Sequence, residues 1–426
     1  MMVQALRGTA DLLCPDISRF ISVEETAKRT AFAYGYQEIR TPIIEESGLF
    51  LRSVGETTDI IQKEMFRFED RGGHDIVLRP EGTASIVRAY LEHNLHKTEG
   101  FSKLFYMGPM FRAERPQAGR FRQFHQFGVE AIGSGSPFVD AEAISLCLEI
   151  IWGCGLTSEN TSLWISSMGC RADQAKSAEV LRNKLAVHKE KLCKECLSRF
   201  EKNIFRVLDC KNPHCHEIAW KEAGASPFIL CDECKAHFDQ VRGSLKSLGI
   251  SFEDDKVFAR GLDYYTRTVF EVRSKGLGAQ DAVAAGGRYD HLVEELGGPS
   301  VGAFGFAAGI ERLLIAIGNS SPAKETPEAR RGLYLAVAKP ELISEGLLLS
   351  SKLRKTGGRV FMDLDGKSLK SQFREADKSA CKFVAVLGDN EIKSGTIALK
   401  NLEDGSQENI SLADFVGQVA KRLANA

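Results

Sequence analysis

No run of apolar residues in this chain is long enough to span a bilayer. The start, MMVQALRGTADLLCPD, lacks the charged head, apolar centre and small-residue cleavage site of a secretion signal. These absences predict a soluble, cytoplasmic protein with no membrane partner. Net charge is nearly absent too: 56 Lys+Arg stand against 57 Asp+Glu, a balance of -1. No global positive field announces nucleic acid, so any basic surface must be local. The 11 cysteines are odd in number and unevenly spread, which argues for reduced thiols or metal ligands over a disulfide framework. Both the phosphate loop G-x-x-x-x-G-K-[ST] and the Rossmann fingerprint are missing, so a nucleotide would have to be held by other means.

What is present suits two or three domains, since 426 residues at 43% hydrophobic can bury more than one core. The pattern from Asp16 to Ala33 predicts an amphipathic helix, and YQEIRTPIIEE alternates as one strand with Pro42 inside it. MFRFED and HDIVLRP flank Arg71-Gly72-Gly73 as a hairpin. Helices are expected over Glu81–Leu95, Phe138–Trp152 and Tyr289–Leu296, and strands at TVFEVRS and DAVAAGG. Between residues 172 and 250 the texture changes to charged helical stretches holding six of the cysteines, which predicts an inserted module. After a polar stretch with two prolines, strands and helices alternate to the end, as in a compact α/β domain. Residues 330–426 carry 16 Lys+Arg and 12 Asp+Glu, a balance of +4.

Four segments hold residues suited to chemistry. In FRAERPQAGRFRQFHQFGVE, a strand-loop-strand reading places Arg112 and Glu114 on one face, and Phe124, Gln126, Gly128 and Glu130 together on the return strand. Arginines there can fork onto phosphate oxygens, and a flat ring among polar groups suits a heteroaromatic ligand; cross-strand charge pairing on a solvated sheet is the plainer alternative. LRPEGT puts Glu81, Gly82 and Thr83 at a helix start, where a carboxylate can grip an ammonium group or simply answer the helix dipole. ARGLDYYTRTVFEV carries Arg260, Tyr264 and Tyr265, and GGRYDHL follows it; tyrosine pairs often just pack a core. GFAAGIERLL sets Gly309 and Arg312 at a strand-to-helix junction, bare backbone for a base and a guanidinium for a phosphate tail.

Together, RGTAD, GYQEIRTPIIE, LRPEGT, FRAERPQAGRFRQFHQFGVE, RGLDYYTRTVFEV, GGRYDHL and GFAAGIERL resemble the histidyl-tRNA synthetase family of the class II aminoacyl-tRNA synthetases, over nearly the whole chain. The resemblance implies an α/β (α+β) architecture: a class II antiparallel catalytic sheet flanked by helices, a small inserted, mostly helical domain, and a C-terminal α/β anticodon-binding domain. The expected boundaries are 1–171 and 251–322 for the two parts of the catalytic domain, 172–250 for the insert, 323–331 for a linker and 332–426 for the anticodon-binding domain. It implies a homodimer with Pro42 near its two-fold axis, and a ligase that activates histidine with ATP and Mg²⁺, then loads the 3′ end of its tRNA.

Carried over by residue, the resemblance implies that Glu81 and Thr83 hold the α-amino group and that Gly82, Gln126, Glu130, Tyr264 and Tyr265 belong to the histidine side. Arg112 and Arg260 would flank the reacting α-phosphate, Glu114, Phe124 and Gly309 would take the adenine, and Arg120 and Arg312 the γ-phosphate. Arg115 and Gln117 at the loop tip would meet the tRNA acceptor end. A rival reading, a catalytically inactive synthetase-like regulatory subunit, should have lost the ATP-contacting arginines and the last domain, yet both are here. A synthetase for another amino acid is opposed by RGLDYY. The stretch Lys352–Lys382, with nine basic and four acidic residues, is a candidate tRNA face, though any one lysine can be ordinary solvated surface. In the insert, Cys193-x-x-Cys196 and Cys231-x-x-Cys234 suggest a structural Zn²⁺ held by these four, against a gap of 34 residues that exceeds common zinc spacings; buried thiols are the alternative.

Overall fold

The computed structural model describes residues 3–424 apart from 56–57, 59, 118, 209, 211, 223–227, 255–263, 278–280 and 321–329. The chain divides into two compact units, Met1–Pro322 and Ala323–Ala426.

In the first unit the strands are β1 (Gln37–Glu38), β2 (Ile44–Glu46), β3 (Phe66–Glu69), β4 (Asp75–Leu78), β5 (Ser102–Phe111), β6 (Gln123–Ile132), β7 (Thr161–Ser167), β8 (Glu253–Asp254), β9 (Thr266–Ser274), β10 (Ala282–Arg288) and β11 (Ala303–Gly309). Eight of them make one sheet in the order β1-β5-β6-β11-β10-β9-β7-β8, and β2-β4-β3 make another. The six inner strands of the large sheet are antiparallel; only the two-residue β1 and β8 at its rims run parallel to their neighbours.

Side chains alternate across this sheet, and the alternation decides which residues can do chemistry. Phe127, Val129 and Ala131 of β6, with Phe304, Phe306 and Ala308 of β11, enter the main core beneath the helices Asp16–Ala33, Pro137–Gly153, Asp232–Ser247 and Ile310–Ser320. Phe124, Gln126 and Glu130 therefore face the other way. Helix Pro137–Gly153 starts where Ser136 Oγ accepts the Phe138 N–H at 3.3 Å, with proline in the first turn, where a missing N–H does no harm.

Several sequence expectations are met in place, including the helix Asp16–Ala33 and the hairpin β3–β4. Others need correction. YQEIRTPIIEE is not one strand: β1 and β2 join different sheets, with Pro42, which has no N–H for a ladder, between them. The expected helix Glu81–Leu95 spans Thr83–Glu92 and ends before Asn94, whose left-handed backbone (φ 55) opens the separate short helix Leu95–Thr98. Tyr289–Leu296 is helical only over Leu292–Glu295. Strand β7, TSLWISS, went unanticipated.

The segment expected as an insert lies within the first unit. Leu181 to Ala219 contribute a small core of their own, while helix Asp232–Ser247 adds Val241 and Leu245 to the main core. The linker expected over 323–331 lies largely outside the described residues. The second unit holds β12 (Leu333–Val337), β13 (Val360–Met362), β14 (Phe383–Leu387), β15 (Thr396–Asn401) and β16 (Gln407–Ser411) in the order β13-β12-β14-β15-β16. β12 is parallel to β13 and β14, and the last two strands pair antiparallel. Leu333 and Leu335 face one core and Tyr334 and Ala336 another, so this sheet is covered on both sides.

Arg288, at the end of β10, ties sheet to helix. It is fully buried, ion-paired to Asp140 of helix Pro137–Gly153, and donates to the Ser134 and Ser136 carbonyls at 2.9 and 3.0 Å and to Asp290 at 2.9 Å. Burial pushes the Asp140 carboxyl up to about 6 even though Arg288 pulls it down. Arg288→Ala strands that carboxylate and is expected to lower unfolding free energy by about 3–5 kcal/mol, read from urea midpoints. A loss below about 1 kcal/mol would show that the pair does not hold this junction.

Candidate active site

The hairpin β5–β6 builds the site. Its strands pair from Ser102↔Ile132 to Phe111↔Gln123, and the loop beyond is held at its base by Arg112 N–H to the Arg122 carbonyl at 2.9 Å. The N-terminal segment braces it, for Arg122 N–H donates to the Gly8 carbonyl at 2.7 Å. Gly8 has φ +91, and a Cβ there would come within 2.8 Å of Pro116, so glycine is required. Regular strand stops at Phe111, which corrects the reading of Arg112 and Glu114 as same-face strand neighbours: both lie in the loop.

A cavity of about 450 Å³ opens beside this hairpin, lined by Arg112, Glu114, Arg120, Phe124, Gln126, Gly309 and Arg312 among others. Arg112 donates from Nε to the Pro80 carbonyl at 3.0 Å and lies over the Phe124 ring, 5.2 Å from its centroid. Arg312 donates to the Ala282 carbonyl at 3.0 Å and Arg120 pairs with Glu114 at 3.1 Å. Gln126 presents a buried amide oxygen with no hydrogen-bond partner among the described residues, which is costly unless a ligand donor meets it.

Next to it lies a cluster of buried side chains around Glu130. This carboxylate is fully buried on β6, accepting from Thr83 Oγ1 at 2.7 Å and from the Tyr289 hydroxyl. Burial pushes its pKa up to about 8; the two hydroxyl donors work against that and the nearby Glu81 adds to it. Burial also raises the carboxyl of Glu81, whose oxygens accept the Thr83 and Ala84 N–H groups at 2.7 and 2.9 Å and so cap the helix. Tyr264 packs on Tyr265 and on Tyr289 with ring centroids 5.0 and 5.8 Å apart, and burial holds all three phenols neutral. Two glycines make the room. A Cβ on Gly82 would strike the Tyr106 ring, and one on Gly305, paired with Glu130 across β11–β6, would strike that carboxylate.

The fold thus gathers Glu81, Gly82, Thr83, Glu130, Tyr264 and Tyr265 in one buried cluster and the described nucleotide candidates at the adjoining cavity. Arg260 lies outside the described residues. Arg115 follows Glu114 in the loop, and Gln117 pairs with Arg120 at its tip. Sequence reasoning missed Tyr106, Tyr289 as partner of Glu130, and Glu271, a buried acid on the cavity wall bonded to Arg273 at 3.0 Å. A lone acid at the centre of the strand run TVFEV was the available signal for Glu271. Glu311, beside Arg312, binds the backbone N–H and ring of His125 at 2.9 and 2.8 Å and so fixes β6 to the helix Ile310–Ser320.

The four cysteines expected to form one metal site do not meet. Cys193 and Cys196 gather with Cys210 and Cys215, whereas Cys231 and Cys234 gather with Cys170 and Asp173. Each C-x-x-C sits at a helix start, and the chain between folds into a small core of its own, which keeps the pairs apart.

A family described as histidyl-tRNA synthetase matches residues 8–313, and one described as an anticodon binding domain matches residues 333–422. A protein of Halothermothrix orenii called histidine–tRNA ligase is 45% identical over 99% of this chain and 100% of its own length. One of the same name from Aquifex aeolicus is 43% identical over 97% of this chain and 100% of its own. The crystal structure of apo S. aureus histidyl-tRNA synthetase is similar at a TM-score of 0.82 and 34% identity, covering 98% of this chain and 100% of that one.

The Glu130 environment has a pH consequence. The folded state keeps this proton to higher pH than the unfolded chain, whose carboxyl titrates near 4.5. The stabilisation is therefore full below that value and lost as pH rises towards about 8. Glu130→Gln should flatten the fall in unfolding free energy across that window; an unchanged slope would contradict the buried, protonated carboxyl.

Proposed function

The chain belongs to the histidyl-tRNA synthetase family and is an ATP-dependent aminoacyl-tRNA ligase, and from that premise we propose how its residues divide the work. Histidine and ATP give histidyl-adenylate and pyrophosphate, and the histidyl group then passes to a hydroxyl at the 3′ end of the tRNA with release of AMP. The regulatory-subunit alternative is disfavoured, because relatives named as ligases match the full chain and both units.

The observation that carries the assignment is the meeting of Arg112, Arg312, Phe124 and Gln126 on one cavity beside the buried Glu130 cluster. In the first step a carboxylate oxygen of histidine attacks the α-phosphorus and the bond to pyrophosphate breaks. That carboxylate is already ionised at neutral pH, so the step needs no strong base; it needs two anions brought into line and their repulsion relieved. Arg112, tethered at Nε and so aimed, serves at the α-phosphate with Arg260. Phe124, Glu114 and Gly309 receive the adenine, and Arg120 and Arg312 the γ-phosphate. Mg²⁺ comes with ATP, held mainly by phosphate oxygens and water.

Glu81 and Thr83 take the α-amino group, Gly82 leaving space beside them. Glu130, Gln126, Tyr264 and Tyr265 take the imidazole side. A cation at Glu130 draws that carboxyl back to its charged form, whereas an apolar competitor would leave the Gln126 oxygen buried without a partner and bring Glu130 no compensating charge. Such a penalty gives specificity from binding alone. The chain works in the cytoplasm as a homodimer through the exposed run Pro42–Ile44, with domain borders at 171/172, 250/251, 322/323 and 331/332. The exposed Lys352, Lys355, Lys370 and Arg374 of the second unit meet tRNA phosphates.

Histidine-dependent exchange of labelled pyrophosphate into ATP tests the first step. Exchange should be confined to histidine, and Arg112→Ala and Arg260→Ala should each slow it by about 10²–10³-fold, equivalent to about 3–4 kcal/mol. Exchange with another amino acid, or wild-type rates in both variants, would overturn the assignment. Arg115→Ala should leave exchange intact and slow transfer to tRNA; normal transfer would remove Arg115 from the acceptor-end role.

A further inference from the structure

We propose that Cys193, Cys196, Cys210 and Cys215 bind a structural zinc ion as a tetrathiolate. The side-chain sulfurs of the four lie within 4.8 Å of one another, with Cys193 and Cys210 Sγ 3.9 Å apart. Four thiolates at about 2.3 Å from one zinc ion stand about 3.8 Å from each other, whereas a disulfide would bring two to about 2.05 Å. All four cysteines are free. Cys196 and Cys215 are fully buried and Cys210 nearly so. Their true spacing is C-x₂-C, thirteen residues, then C-x₄-C, two short knuckles of the kind zinc uses; the expectation of a 34-residue gap came from pairing the wrong halves.

Backbone donors already point at these sulfurs. Cys193 N–H donates to Cys215 Sγ at 3.2 Å and Asn212 N–H to Cys210 Sγ at 3.4 Å, the outer contacts that stabilise thiolate charge around a metal. The surrounding fold needs such a centre. Lys189 to Glu222 forms only short helical pieces, the longest Lys194–Lys202, and no strand among the described residues. Among the described residues its core numbers a dozen buried side chains, three of them these cysteines, and so small an assembly rarely holds without a metal or cross-link.

The second group, Cys170, Asp173, Cys231 and Cys234, is accounted for without metal. Asp173 accepts the Cys231 and Cys170 N–H groups at 3.0 and 3.3 Å and so caps the helix Arg171–Ala186 while joining it to helix Asp232–Ser247.

Full-length protein purified without chelators should contain about one zinc per chain by mass-spectrometric metal analysis. Cys193→Ser and Cys215→Ser should bring that below about 0.2, and Cys231→Ser should leave it unchanged. If the serine variants fail to fold, wild-type chain reconstituted with Co²⁺ carries the test: a tetrahedral tetrathiolate spectrum, with sulfur-to-cobalt charge transfer that zinc abolishes. Zinc below about 0.2 per chain with no such spectrum, or zinc lost with Cys231→Ser and kept in Cys193→Ser, overturns the proposal. Histidine-dependent pyrophosphate exchange reports separately, so zinc-free chain that still activates histidine would sink this inference alone.

Discussion

A carboxylate buried in the middle of an antiparallel sheet is the constraint on which the rest of this molecule depends. Stripping water from Glu130 is expensive unless donors replace it. Thr83, from a helix start, and Tyr289, just past β10, are brought in to do so. The facing strand must also give way, and Gly305 does, since a methyl there would collide with the acid. One acid on β6 thus sets requirements on β11, on the end of β10 and on the segment Pro80–Thr83.

The cavity next to it is organised by arginines whose direction is set before any ligand arrives. Arg112 and Arg312 are oriented by backbone carbonyls, of Pro80 and Ala282. Groups set in advance give up less on meeting charge that develops in a reaction. The loop tip is tied by backbone bonds between Gln117 and Arg120, by the Arg120–Glu114 pair and by Arg312, which donates to the Gly119 carbonyl at 3.4 Å.

Elsewhere the chain varies its means of cohesion with the size of what it must hold. The large sheet buries one face under four helices and needs no cross-link. The second unit covers both faces of a five-stranded sheet. The segment around Phe200 and Cys215 commands only a dozen buried residues and clusters sulfur at its centre.

Sequence alone determined the local units and supplied the residues to which chemistry is here proposed. Helix Asp16–Ala33, the strand-loop-strand from Ser102 to Ile132, and the shared face of Phe124, Gln126 and Glu130 all follow from periods of 3.6 or 2 within a dozen residues. What only the tertiary structure decided is which of these units meet. Pro42 splits an apparent strand between two sheets, Tyr289 and Thr83 converge on Glu130 from 159 and 47 positions away, and each C-x-x-C finds partners other than its twin. Such meetings are set by strand order, β6 beside β11 beside β10, and by long loops, whereas periodicity reports only a residue's own neighbours along the chain.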